Sequence, residues 1–263
     1  MTTYRILLLA LAALPVIVIL LFVYLKDRNK EPMVLLIKLF LSGFVSCILT
    51  LLLSEVMGWF LPFMNGSLAN KSFFDTLLYA FIGVALVEEF SKWLMTYLVG
   101  YNNREFDELY DGIVYAIFVS LGFAFVENIL YVIQTSSVNT AILRAISAVP
   151  SHACDAIFMG YYLSIAKHYA LKKNKPLEKK NVILSIAIPT VLHGIYDFCL
   201  MSGYTVLIVV FIVFVIFLYI ESIKRLRKLA KYNKKIKFKN KFCQVCGKAI
   251  TGEFCSRCGT RQT

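Results

Sequence analysis

The chain has 263 residues, 59% of them hydrophobic and 17% charged, with a formal net charge of +12 and a mean hydropathy of +0.71. Soluble domains hold roughly 45–50% apolar and about 25% charged residues, so these values exclude an ordinary water-soluble globular fold. They predict an all-α, polytopic membrane helix bundle, and the scattered Cys47, Cys154 and Cys199 exclude a secreted disulfide framework.

About twenty apolar residues cross a hydrocarbon core of about 30 Å. Seven segments meet that length, near residues 4–25, 33–61, 73–99, 112–134, 141–166, 181–201 and 205–222. The first starts with only Arg5 as a basic residue and is followed by Lys26, Arg28 and Lys30, so it reads as a retained span rather than a cleaved signal. The third contains Glu88, Glu89 and Lys92; Glu88 and Lys92 share a helix face at i, i+4, and Glu89 reaches the lysine at i, i+3. The fourth, "GFAFVENILY", places Glu127 and Asn128 in mid-span. The fifth, "PSHACDAIFMGYY", puts His152 and Asp155 a turn apart, and the sixth, "LHGIYDF", puts His193 and Asp197 on one face.

Basic residues cluster in the loops 26–32 and 167–180, the latter with six lysines, whereas the loops 62–72 and 135–140 and the turn at Gly203 hold only Lys71. The expected topology of this multi-pass membrane protein is therefore amino terminus out and carboxyl terminus in the cytoplasm. Membrane-embedded residues 1–223 end abruptly in a basic linker, 224–241, where Lys224–Lys241 carry ten Lys/Arg and no acid. Beside a span, such a run is expected to meet anionic lipid rather than nucleic acid.

Residues 242–263 form a separate module. Cys243, Cys246, Cys255 and Cys258 stand as two Cys-x-x-Cys-Gly knuckles, the spacing of a short zinc ribbon with one structural Zn2+ held by four thiolates. A reducing cytoplasm disfavours two disulfides, and so short a module relies on the metal to fold. The sequence leaves its role open among docking of a cytoplasmic protein, regulation and nucleic-acid contact.

Ionisable groups at bilayer depth cost at least about 2.5–3.5 kcal/mol for Asp, Lys or Arg. Interhelical polar contacts return on average only about 0.6 kcal/mol. Four consecutive spans carrying such groups therefore predict one shared polar site rather than scattered structural pairs. Two histidines with several carboxylates suit a divalent metal, foremost Zn2+, with a non-ligating glutamate taking a proton from water. His152 and His193 are the candidate ligands, with Asp155 and Asp197 orienting them. Individually, Glu88 or Glu89 with Lys92 also fits a neutralised structural pair, and Glu127–Asn128 fits interhelical hydrogen bonding.

In order, "EEFSK" at 88–92, "FAFVEN" at 123–128, "SHACD" at 151–155 and "HGIYD" at 193–197 resemble the PrsW family of bacterial intramembrane proteases, over about residues 30–200. The resemblance implies site-1 cleavage of a membrane-anchored anti-sigma factor in a stress response, and a distant relation to membrane-embedded CAAX-processing proteases. It also implies Glu88 and Glu89 as general-base candidates, His152 and His193 as ligands or water activators, Glu127 as third ligand and Asn128 as an oxyanion donor. Lys92 would offset one carboxylate so that the other stays ionised. The cysteine module lies outside that pattern. Two other classes use the same residues: an ion-coupled transporter running on the buried Glu/His chain, and a sensor scaffold acting through the ribbon.

Overall fold

A computed structural model describes residues 3–27 and 29–232 and, in the tail, 241–242, 245, 249–250, 257–258 and 260. The described chain is a bundle of helices. These are α1 (Thr3–Lys26), α2 (Met33–Phe60), α3 (Phe73–Leu78), α4 (Val87–Thr96), α5 (Asp111–Thr135), α6 (Val138–Ile146), α7 (Ala148–Leu171), α8 (Lys175–Met201) and α9 (Thr205–Tyr232). In the tail, β1 (Lys241–Phe242) pairs antiparallel with β2 (Ala249–Ile250). Cys258 is described; Cys243, Cys246 and Cys255 lie outside the described residues, and so does a test of the four-thiolate site.

Among the described residues, five helices are long and apolar enough to cross a membrane: Tyr4–Lys26, Met33–Phe60, Asp111–Thr135, Lys175–Met201 and Thr205–Lys231. The two other expected spans are built differently. Residues 73–101 run as one helical rod in which π-helical stretches, Tyr79–Leu86 and Tyr97–Tyr101, flank α4; such insertions are frequent at functional sites. The expected span 141–166 is broken instead. Residues to Ile146 belong to the short α6, and α7 starts at Ala148 and carries on to Leu171. Ser136 ends α5 in the left-handed region at φ 49°, and the Ser137 hydroxyl caps α6 by accepting from the Thr140 amide at 3.2 Å. α9 also continues beyond residue 223 to Tyr232, so the basic linker begins as helix.

Small residues set the packing. Gly43 of α2 meets Gly122 of α5, and Gly112 of α5 meets Gly160 of α7, each pair so close that a Cβ at either glycine would strike the partner backbone. Without a hydrophobic force between helices in lipid, such backbone approach supplies dispersion contact. Ile113, Tyr115, Ile117, Val119 and Leu121 of α5 are accordingly buried, and the outer faces of α1, α2 and α9 stay apolar and exposed.

Contacts at one end tie together the loops expected in the cytoplasm. Asn29 donates to the Glu108 carboxylate, Tyr115 to Glu31 at 2.7 Å, and Lys167 to the Tyr101 carbonyl at 2.6 Å. At the opposite end Tyr4 donates to the Ser136 carbonyl at 2.8 Å.

Candidate active site

The polar residues of α4, α5, α7 and α8 converge. Glu88 and Glu89 stand on the first turn of α4, and Lys92 Nζ, one turn later, lies 3.0 Å from Glu88 Oε2 and 2.8 Å from Glu89 Oε1. It also donates to His152 Nδ1 of α7 at 3.2 Å and sits 4.2 Å from the centre of the Phe123 ring. Because an ammonium can only donate, His152 accepts at Nδ1, and its Nε2 carries the proton given to Glu127 Oε2 of α5 at 2.9 Å. The Ser120 hydroxyl donates to the His152 carbonyl at 3.0 Å, which fixes this turn of α7 against α5.

From α8, His193 Nδ1 reaches Glu89 Oε1 at 2.9 Å, and its Nε2 lies 3.3 Å from Asp197 Oδ2 and 4.0 Å from Glu88 Oε2. The two histidine rings stand edge to face with centroids 5.4 Å apart. Pro189, one turn before His193, lacks the N–H that would bond back into α8. The helix thus carries a local defect just where it enters the site.

Asn128 takes another position from the one expected. It is fully buried, donates to the Ala12 carbonyl of α1 at 2.8 Å and accepts from Arg144 Nε at 2.8 Å, so both its polar atoms are committed away from the cavity. Arg144, absent from the sequence reading, forks between Asn128 and Glu127 Oε2, the latter at 2.7 Å, and its guanidinium lies 3.9 Å from the Tyr131 ring centre. It stands on α6, a helix that the sequence merged into a span. The available signal was an arginine inside an apolar run, "AILRAISAVP", which needs a buried acid as partner.

These groups border a cavity of about 510 Å3. Glu88, Glu127, His152, Asp155, His193 and Asp197 line it, as do Arg144 and, from the second half of α2, Thr50, Ser54 and Glu55. Glu89 and Lys92 sit behind this surface with no exposure.

The residues fit a divalent ion. One donor atom each from Glu89, His152, Asp155 and His193 lie within 4.8 Å of one another, and so do those from Glu88, Glu127 and His152. Asp155, 1% exposed, has neither carboxylate oxygen hydrogen-bonded, and Glu89 Oε2 also has no partner. Buried carboxylate oxygens left this way are costly unless a cation meets them. Five carboxylates (Glu88, Glu89, Glu127, Asp155, Asp197) face only Lys92 and Arg144 as permanent cations. Lys92 already bonds three of the same acceptors, so an ion has to share or displace its hydrogen bonds.

A carboxylate–histidine cluster opening on a cavity inside a bundle of apolar helices defines a membrane-embedded hydrolase. Comparison with known proteins agrees. Residues 31–220 match the family described as PrsW family intramembrane metalloprotease. Among curated relatives, Protease PrsW of Oceanobacillus iheyensis is 41% identical over 200 residues, covering 75% of this chain and 85% of the relative. Protease PrsW of Clostridioides difficile is 33% identical over 234 residues, 88% of this chain and 94% of the relative. That of Bacillus subtilis is 36% identical over 189 residues, covering 72% and 80%. The chain therefore belongs to the PrsW family and is a multi-pass bacterial membrane protease. No solved structure matches it. The family match ends before the basic linker and the cysteine module.

Proposed function

We propose that this protease cuts single-span membrane proteins by water attack within the α4–α8 cavity, with Glu88 as general base. The observation carrying this reading is the convergence of Glu88, Glu127, His152, Asp155 and His193 on one cavity. Glu88 faces that cavity, whereas Glu89 lies behind it with Oε1 shared between Lys92 and His193. The pair then divides into a base that meets water and a carboxylate that organises the site.

Glu89, His152, Asp155 and His193 would hold the divalent ion; their mixed N/O donors suit zinc. When bound, it supplies Lewis-acid polarisation of the scissile carbonyl. Glu127 and Asp197 orient His152 and His193 through their second nitrogens. This exchanges the sequence-based roles of Glu127 and Asp155. Asn128 acts at one remove by holding Arg144, which stands on the cavity rim where a developing oxyanion can be stabilised.

The further parts of the reading rest on the sequence patterns. The substrate is an anti-sigma-factor-like protein cut at its first site, by resemblance. Residues 73–99 and α7 complete seven spans with the amino terminus outside. The segment Lys224–Lys241 lies on anionic lipid. Cys243, Cys246, Cys255 and Cys258 hold a structural zinc in a ribbon that docks a cytoplasmic protein, and the relation to CAAX-processing proteases is one of shared site design.

Elemental analysis of purified protein tests the metal assignments. Two zinc ions per chain are expected in wild type, one after Cys255→Ser with Cys258→Ser, and a different one lost after His193→Ala. Retention of full zinc by His193→Ala would remove the metal from the membrane site. Undiminished cleavage of a single-span substrate by Glu88→Gln would remove Glu88 from the base role.

A further inference from the structure

The part of the cavity lined by α2 has no part in the chemistry above, yet it is polar. On α2, Ser42, Ser46, Thr50, Ser54 and Gly58 recur every four residues and so form a ridge that shifts about 40° round the helix at each step. Its first half is internally satisfied: Ser42 and Ser46 donate back to the carbonyls of Leu39 and Gly43 at 2.7 Å each. Serines and threonines elsewhere in the bundle do the same, among them Ser91, Thr96, Ser164 and Thr190, which is the usual way to satisfy a hydroxyl in an apolar helix. Thr50 and Ser54 do not. Both line the cavity, and Thr50 Oγ1 is buried with no hydrogen-bond partner.

One residue further on, Glu55 is exposed on the same wall and forms no ion pair among the described residues. Its neighbours Leu51, Leu52, Val56 and Trp59 are apolar and exposed, as befits a lipid-facing surface. An unpaired carboxylate there is disfavoured unless it meets a cation. Glu55 also lies five residues from the α2 terminus at Phe60, or about 8 Å along the axis at 1.5 Å per residue. That places it near the interface at which a transmembrane segment unwinds. Asp155, whose buried carboxylate oxygens have no hydrogen-bond partner, is among the residues lining the same cavity.

A peptide bond can be attacked only when its segment leaves the helix, which exposes backbone N–H and C=O groups in a medium poor in water. We propose that the outer half of α2 is the substrate-binding wall, where Thr50 and Ser54 hydrogen-bond the unwound backbone and Glu55 selects a lysine or arginine beside the scissile bond. This rests on the peptidase reading and adds the substrate class: single-span proteins with a basic residue flanking the cut. Thr50 and Ser54 accept any side chain, because they meet only backbone; Glu55 supplies the discrimination.

The test separates binding from cutting. Substrates with Lys, Ala or Glu at the flanking position are titrated onto full-length Glu88→Gln protein in nanodiscs, with and without Glu55→Lys, and cleavage is followed in parallel with Glu88 intact. Binding is expected to fall from Lys to Ala to Glu by about 3–5-fold per step, the scale of one exposed ion pair, and Glu55→Lys reverses the order. Thr50→Val with Ser54→Ala weakens all three substrates alike. An unchanged order of preference in Glu55→Lys, in binding or cleavage, overturns the proposal. A reversed binding order with no cleavage of any substrate upholds it while removing the peptidase reading.

Discussion

At the residue scale the site is organised by two cations. Lys92 is fully buried and bonds Glu88, Glu89 and His152; removing one partner from a buried charge pair leaves the other uncompensated, at about 3–5 kcal/mol. Lys92→Met is therefore expected to lower thermal stability in the metal-free protein, and divalent zinc should restore more stability to this variant than it adds to wild type, because the ion then meets no competitor. Equal zinc-dependent Tm shifts in the two proteins would show that Lys92 and the metal do not share acceptors. Arg144 holds Glu127 and Asn128 together with a planar fork that lysine lacks. Arg144→Met should reduce kcat/KM by at least about tenfold, and Arg144→Lys should recover only part of it; equal activity of all three proteins would make Arg144 a bystander.

The four acidic and histidine motifs were legible because the membrane makes ionisable groups conspicuous against apolar runs. Their division of labour was not. Whether Glu88 or Glu89 faces water depends on the rotation of α4, and whether Asn128 faces the cavity depends on α1, which supplies the Ala12 carbonyl it bonds. No local spacing carries either fact.

At the scale of elements, the contact of α2 with α5 depends on Gly43 and Gly122, where a methyl group would meet the Val119 or Phe40 backbone carbonyl. Gly122→Ala should destabilise the fold by about 1–3 kcal/mol, read as a lowered Tm in detergent; an unchanged Tm would mean that the helices separate freely. The loop between α1 and α2 makes a second prediction. Burial pushes Asp27 up to about 6 and Glu31 up to about 7, the latter despite the hydrogen bond donated by Tyr115. Both folded values lie above the unfolded ones, so the stability these groups contribute is complete below about pH 4 and is lost as pH rises through about 6–7. Tm should fall between pH 5 and 8, and Glu31→Gln should flatten that fall and stabilise the protein at pH 8 by about 1–3 kcal/mol. An identical pH profile for Glu31→Gln would contradict this. The break between α6 and α7 was hidden in the sequence because apolar residues continue across Ser147; the cap at Ser137 and the left-handed Ser136 that set α6 apart are single polar residues.

At the scale of the whole molecule, the helical membrane fold followed from composition. The cavity did not follow from composition, since its lining joins Tyr79 and Gly83 of the π-helical stretch with Thr50, Ser54 and Glu55 of α2, residues that only the fold brings together. Its lining reaches Gly58, Trp59 and Asn65, near the α2 terminus farther from the Glu31–Tyr115 contact. The central claim is that this cavity performs proteolysis through Glu88, and the most direct measurement is cleavage of one purified single-span substrate in proteoliposomes by wild type and by Glu88→Gln. The account predicts discrete fragments with wild type and at least about a hundredfold slower cleavage with Glu88→Gln at unchanged substrate binding; equal rates would contradict it.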